Sequence, residues 1–161
     1  MKKVPVWFLV IGLSAFIFAS CQPSSSEIGN RWATAFVDMI NSKNKNEMLL
    51  LFSRSRTDGY DISHKLDLLL ESFDGTVIEY DSIIGESEEW NGGRCVSSNI
   101  TVHIYDLITS TGKKYHIVIN GYGESRTEYD KGIAVIDVYE KASSSPPSED
   151  ILICSIGKWD V

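Results

Sequence analysis

The sequence predicts an α+β domain in which N-terminal helices pack on a curved antiparallel sheet. Three observations carry that prediction. Between residues 28 and 73 the apolar residues recur at steps of three and four, the period of a helix face. After Gly75 the step drops to two, the period of a strand. The two patterns occupy separate halves of the chain with no βαβ alternation, which points to helices segregated onto an antiparallel sheet.

The chain opens on "MKKVPVWFLVIGLSAFIFASC", where Lys2 and Lys3 precede an apolar run over residues 4–18 and small residues precede Cys21. This is the three-part plan of a secretory signal. Its apolar run falls short of the roughly 20 residues that a spanning helix needs. Phe18-Ala19-Ser20-Cys21 resembles the bacterial lipobox, with Phe in place of the usual Leu. A thiolate is the side-chain nucleophile suited to take a diacylglyceryl group, and two acyl chains of palmitate type anchor stably where one does not. Residues 1–20 are therefore expected to be a lipoprotein signal peptide, with Cys21 the lipid attachment site. The mature chain is expected on the extracytoplasmic face of the cell membrane.

Losing that leader removes Lys2 and Lys3 and takes the formal net charge from −7 to −9. So acidic a chain is unsuited to nucleic acid and to anionic lipid surfaces, so lipid rather than charge must hold it at the membrane. Residues 21–27 form a polar tether, residues 28–141 one domain, and residues 142–161 a linker and an apolar tail.

Within the domain, Ile28, Trp32, Ala35, Phe36, Met39 and Ile40 mark one apolar helix face. Asn44 and Glu47 resemble a capping pair for a short second helix, "NEMLLLF", before "SRSRTDGY" breaks the pattern. Asp61 is a candidate N-cap for a further helix with Ile62, Leu66, Leu69, Leu70 and Phe73 on one side. "TVIEYDSII" is the first strand, and Asn91-Gly92-Gly93 turn the chain into the second. A hairpin follows over Ser110-Thr111-Gly112, and "GIAVIDVYE" is a further strand. Beyond the Pro146-Pro147 linker, seven of the eleven residues of "ILICSIGKWDV" are apolar. Such a tail is expected to dock, either as an edge strand or over an aromatic sheet face with Tyr105 and Tyr122.

A two-residue loop at Thr111-Gly112 would set Ile108 opposite Tyr115 and Ile104 opposite Ile119. One face then carries Ile100, Val102, Ile104, Ile108, Tyr115, Ile117 and Ile119, with Asp106 at the same parity. The other carries Thr101, His103, Tyr105, Leu107, His116, Val118, Asn120 and Tyr122, half aromatic and half polar. The first belongs under the helices and the second in water or against a partner.

"AFVDMINSKNKNEMLLLFS", "HKLDLLLESFDGTVIEYD" and "YDKGIAVIDVYE" occur in that order behind the lipobox. Together they resemble a family of small lipoproteins from Firmicutes known as a domain of unknown function, over residues 29–141. The resemblance implies an NTF2-like (cystatin-like) cone, in which a curved sheet wraps helices and often leaves a pocket between them. It implies no catalytic residues.

Chemistry is sparse. In this register His103 and His116 do not pair directly and His64 stands at a helix start, so no metal site is expected. "GYGESR" has Arg126 where a dinucleotide loop needs its last Gly, and "DSIIGESEE" reads as a solvated acidic loop. Asp106 and Asp137 could serve acid–base work, or could be paired charges at a sheet edge. Trp32, Tyr60, Tyr80 and Tyr115 are the pocket candidates, with core packing as the alternative. Cys95 and Cys154 either pair, stabilising by about 4 kcal/mol, or stand as independent thiols. The expected role is a non-catalytic ligand- or protein-binding module without cofactor or metal. Its partners are the membrane, through the lipid, and a protein or a small apolar ligand. The alternative is an NTF2-like enzyme of isomerase or hydrolase type acting on a small apolar substrate.

Overall fold

The computed structural model describes residues 23–58, 60–141 and 150–157. The signal segment, Cys21, the Pro146-Pro147 linker, Trp159 and Val161 lie outside the described residues. Among the described residues four helices come first: α1 (Ser25–Ser42), α2 (Asn46–Leu51), α3 (Arg54–Thr57) and α4 (Ile62–Ser72). Five strands follow: β1 (Val77–Asn91), β2 (Arg94–Thr109), β3 (Lys114–Glu124), β4 (Gly132–Glu140) and β5 (Ile151–Gly157). They form one antiparallel sheet in sequence order, a meander. The fold class is α+β, with the helices on one face of a curved sheet.

α1 starts three residues before Ile28, because Ser24 closes a reciprocal capping box with Glu27. Hydrogen bonds from Ser24 N to Glu27 Oε2 (2.7 Å) and from Glu27 N to Ser24 Oγ (3.2 Å) satisfy two donors of the first turn. Asp61 caps α4 by accepting from His64 N at 3.1 Å. Asn44 accepts from Asn46 N at 3.1 Å, so its partner is the backbone rather than Glu47. α3, a single turn, occupies the segment that composition marked as a break. Phe52, just before it, bridges to Ile133 and ties the helical half to the start of β4.

Trp32, Phe36, Met39 and Ile40 from α1 meet Ile62, Leu66 and Leu69 from α4 over Ile100, Val102, Ile104, Ile117 and Ile119 of the sheet. Phe73 stacks on Tyr115 with ring centres 4.2 Å apart, and Phe36 meets Phe73 edge-on at 6.5 Å. Trp32 needs the bare backbone of Gly121, where a Cβ would stand 2.7 Å from its ring.

Two strands differ from the sequence reading. β1 continues through the acidic stretch to Asn91, so Glu86, Glu88 and Glu89 alternate along a strand rather than fill a loop. Gly92 and Gly93, both at positive φ (60° and 77°), then make the tight turn. The β2–β3 register also differs: Ile104 faces Ile117, Val102 faces Ile119 and Leu107 faces Tyr115. The turn holds three residues, Ser110 to Gly112, closed by Thr109 N donating to Lys113 O at 3.0 Å, which sets Leu107 opposite Tyr115. A bulge between Ile104 and Leu107, with Asp106 in the left-handed region at φ 47°, shifts the pairs beyond it by one more residue. The extra residue reverses the alternation beyond it. Leu107 is consequently fully buried, Ile108 turns away from the core, and Asp106 lies exposed with its carboxylate 2.7 Å from Lys141 Nζ.

The C-terminal segment is the fifth strand, pairing Ile136 with Ile156 and Val138 with Cys154. Ile156 is fully buried, and Ser155 Oγ donates to Asp137 at 2.6 Å. Cys95 and Cys154 are both free thiols, and burial raises the pKa of each.

Phe36→Ala should destabilise the chain by about 3–5 kcal/mol, the range for emptying a buried aromatic site. Urea unfolding followed by circular dichroism measures it, and a loss below 1 kcal/mol, roughly that of a surface change, would contradict the packing. Ending the chain at Lys141 should lower the melting temperature and drive self-association through the bared β4 edge, read by differential scanning calorimetry and analytical ultracentrifugation. An unchanged melt would mean that β5 adds nothing to the sheet.

Candidate functional site

The sheet face turned away from the helices carries a row of rings across three strands. Tyr105 on β2 stacks on His116 of β3 with centres 4.8 Å apart, and His116 stacks on Tyr139 of β4 at 5.8 Å. His103 on β2 joins the row beside Tyr105 at 5.4 Å. Interplanar angles of 29° or less make these rings nearly parallel. Regular alternation places them: His103 and Tyr105 precede the bulge, and His116 pairs directly with Tyr139.

The sequence reading kept the two histidines apart; the bulge brings them together. His103 Nδ1 lies 3.3 Å from His116 Nε2. The ring centres are 5.6 Å apart, longer than that by two ring radii, so the nitrogens point straight at each other. This geometry shares a proton and does not converge on a third point, as two ligands of one metal must. On the far side of His116, Nδ1 lies 3.5 Å from the Asp150 carboxylate at the head of β5. The arrangement satisfying each nitrogen has His116 Nδ1–H toward Asp150 and His103 Nδ1–H donating to His116 Nε2. Among the described residues, no group of three or more His, Cys, Asp or Glu could hold a metal ion.

Beyond the rings the same face is polar, with Thr101 Oγ1 donating to Asn120 Oδ1 at 2.7 Å. Asp137 and Ser155 continue it toward β5. On the opposite side, a recess of about 320 Å³ lies between the start of α1 and the sheet, lined by Ile28, Trp90, Ser98 and Gly123, while the centre of that side is filled. Phe36, Ile40, Leu66, Leu69, Ile104, Leu107, Tyr115 and Ile117 are fully buried, so no water-sized space abuts them.

The four aromatic pocket candidates disperse. Trp32 and Tyr115 are core residues, the latter stacked on Phe73. Tyr60 and Tyr80 are exposed, Tyr60 before α4 and Tyr80 on β1. Asp106 sits in the bulge rather than under the helices, held low in pKa by its bond to Lys141. Asp137 is on the outer face. Tyr139 and Asp150 were absent from the sequence reading; only the pairing of β4 and β5 with β3 reveals them. No helix among the described residues is long and apolar enough to cross a membrane.

Burial holds His103 below the ordinary histidine pKa of 6.5, and neighbouring His116 adds to the shift. The folded state thus prefers neutral His103. The stability it contributes is complete above about pH 6.5 and is lost as pH falls through the lowered value. Urea midpoints should therefore fall between about pH 7.5 and pH 5, with the fall reduced in His103→Gln. A variant profile parallel to that of the parent would refute the assignment.

Residues 35–141 fit the sequence model of a domain of unknown function, DUF5104. No curated protein matches the chain.

Proposed function

The chain belongs to this family of domains of unknown function, and from that premise we propose a lipid-anchored, non-catalytic binding module on the extracytoplasmic face of the membrane. The lipobox-like Phe18-Ala19-Ser20-Cys21 supports the anchoring, with Cys21 as the acylated residue. Helices held against one side of a curved sheet support an NTF2-like cone, and small lipoproteins of Firmicutes supply the setting.

One observation carries the binding role: the centre of the sheet under the helices is filled, while its outer face presents a built row of four rings. An enzyme of the cone type needs a cavity beneath the sheet, where Phe73, Tyr115 and Leu107 pack here. The outer row offers two phenol hydroxyls and the imidazole rims as hydrogen-bonding groups on a rigid support. Stacked aromatic rings of this kind are common anchors at recognition surfaces.

Two measurements test the two halves of the proposal. Mass spectrometry of the membrane fraction should find a diacylated Cys21 at the mature N-terminus, and Cys21→Ala should release the protein; retention without modification would sink the anchoring. A photo-crosslinking residue at position 139 should give adducts in intact cells that one at Glu71, on the exposed side of α4, does not. Equal labelling at the two positions would remove the outer face as the binding surface.

A further inference from the structure

The β1–β2 hairpin ends on an uncovered apolar ring. Trp90, the last residue but one of β1, is 60 % exposed. Asn91, Gly92, Gly93 and Arg94 follow, all of them exposed. A Cβ at Gly92 or Gly93 would meet no heavy atom within 4 Å, so the turn stands clear of its neighbours. We infer that this tip seats in the headgroup–acyl boundary of the bilayer, with Trp90 as its apolar anchor and Arg94 against lipid phosphate. The inference rests on the proposed acylation at Cys21 and adds a second membrane contact to it.

Position comes first. Pro23 and Ser24 line the recess at the start of α1 together with Trp90 and Cys95. Cys21 stands two residues before Pro23, a reach of at most roughly 7 Å. Acyl chains on Cys21 therefore bring the level of the lipid headgroups to the end of the hairpin. An indole suits that depth, because Trp concentrates where an apolar body and a polar tip meet different surroundings. Here the polar tip is already met: Trp90 Nε1 donates to Glu88 Oε2 at 2.8 Å. The ring thus enters the boundary without carrying an unsatisfied N–H.

Charge at the tip differs from that of the chain as a whole. From Trp90 to Arg94 the single charge is that of Arg94. The nearest acidic groups are engaged, Glu88 by the indole and Glu89 Oε1 by Arg126 Nη2 at 3.0 Å. The end of the hairpin therefore offers a guanidinium, not a carboxylate, to the phosphate layer, and Arg is the residue that matches phosphate in a bidentate contact. The acidic mature chain has no attraction of its own for the bilayer. The acyl chains supply the pull, and the tip supplies the fit.

Acylated protein purified from the membrane fraction and reconstituted into mixed phosphatidylcholine–phosphatidylglycerol vesicles tests the inference. The emission that Trp90→Phe removes isolates Trp90 from the other tryptophans. Phosphatidylcholine brominated on its acyl chains near the glycerol should quench that emission, and aqueous acrylamide should spare it. Arg94→Glu should reduce the bromine quenching, with an unchanged circular dichroism spectrum certifying the fold. A photo-crosslinking residue at position 92 gives a readout that needs neither variant: it should capture phospholipid in intact cells, and one at Glu71 should not. Acrylamide quenching of the Trp90 emission with indifference to brominated lipid, or capture of protein alone at position 92, would overturn the inference. Bromine quenching undiminished by Arg94→Glu would remove the phosphate contact. Mass spectrometry of the same preparation separates the two readings. Diacylated Cys21 with Trp90 in water leaves the anchoring standing and removes the tip contact; unmodified Cys21 ends both.

Discussion

The left-handed backbone of Asp106 decides how the two central strands meet, and most of the molecule follows from that one residue. Continued without a bulge from Ile104 opposite Ile117, β2 would set Asp106 opposite Tyr115. With one residue bulged out, Leu107 takes that place beside Tyr115, which stacks on Phe73. Left-handed geometry costs an ordinary residue roughly 1–2 kcal/mol, and Asp is among the residues that bear it best. The Lys141 contact holds the exposed carboxylate in place just after β4 ends. The same bulge leaves Tyr105 and His103 on the outer face while β3 is brought into a register that sets His116 beside them. Core and outer row are thus two results of one local distortion.

Filling the space under the sheet constrains the chemistry available to the domain. Interiors pack like crystals, so Tyr115, Phe73 and Phe36 leave no room for a ligand among themselves. The proposed binding role accordingly falls to the exposed outer face. The outer face is suited to this because it is stiff: each ring is braced by its neighbour across the strands, and β4 and β5 support the row from the side. His103, His116 and Asp150 form a line of polar contacts from β2 through β3 to the head of β5, which links the last strand to the centre of the sheet.

Much of the helical half was legible because its signals are local. The faces through Trp32, Phe36 and Ile40, and through Ile62, Leu66 and Leu69, lie within single helices, and Asp61 marks its cap by type and place. The start of α1 was missed: Ser24 and Glu27 cap it, but the serine run around them resembles a flexible tether by composition, and residues 21–27 were read as one. The sheet was legible in class and in strand order. Its register was not, because alternation on β2 and β3 fits both the regular and the bulged pairing, and an Asp gives no unique mark of a left-handed residue. The outer row inherits that ambiguity: His103 and His116 meet only after the bulge, and Asp150 reaches His116 only through the pairing of β5. The apolar character of Ile151, Leu152, Ile153 and Ile156 did foretell an edge strand, though Ile151 and Leu152 remain well exposed on it.

Under the proposed anchoring at Cys21, the capping box at Ser24 sets the length of the leash. Two residues lie between the two positions, a reach of at most roughly 10 Å. A domain on so short a leash cannot patrol the space above the bilayer; it can only pivot about its point of attachment. Ser24 and Ser25 share a recess with Glu88 and Trp90, near the tip of the β1–β2 hairpin. Under the proposed anchoring that tip becomes the foot of the molecule. The meander then rises from it with a restricted range of tilts, and its ring-bearing face sweeps sideways along the membrane plane. Encounters would accordingly favour neighbours standing in the same layer of the envelope over molecules arriving from far above it.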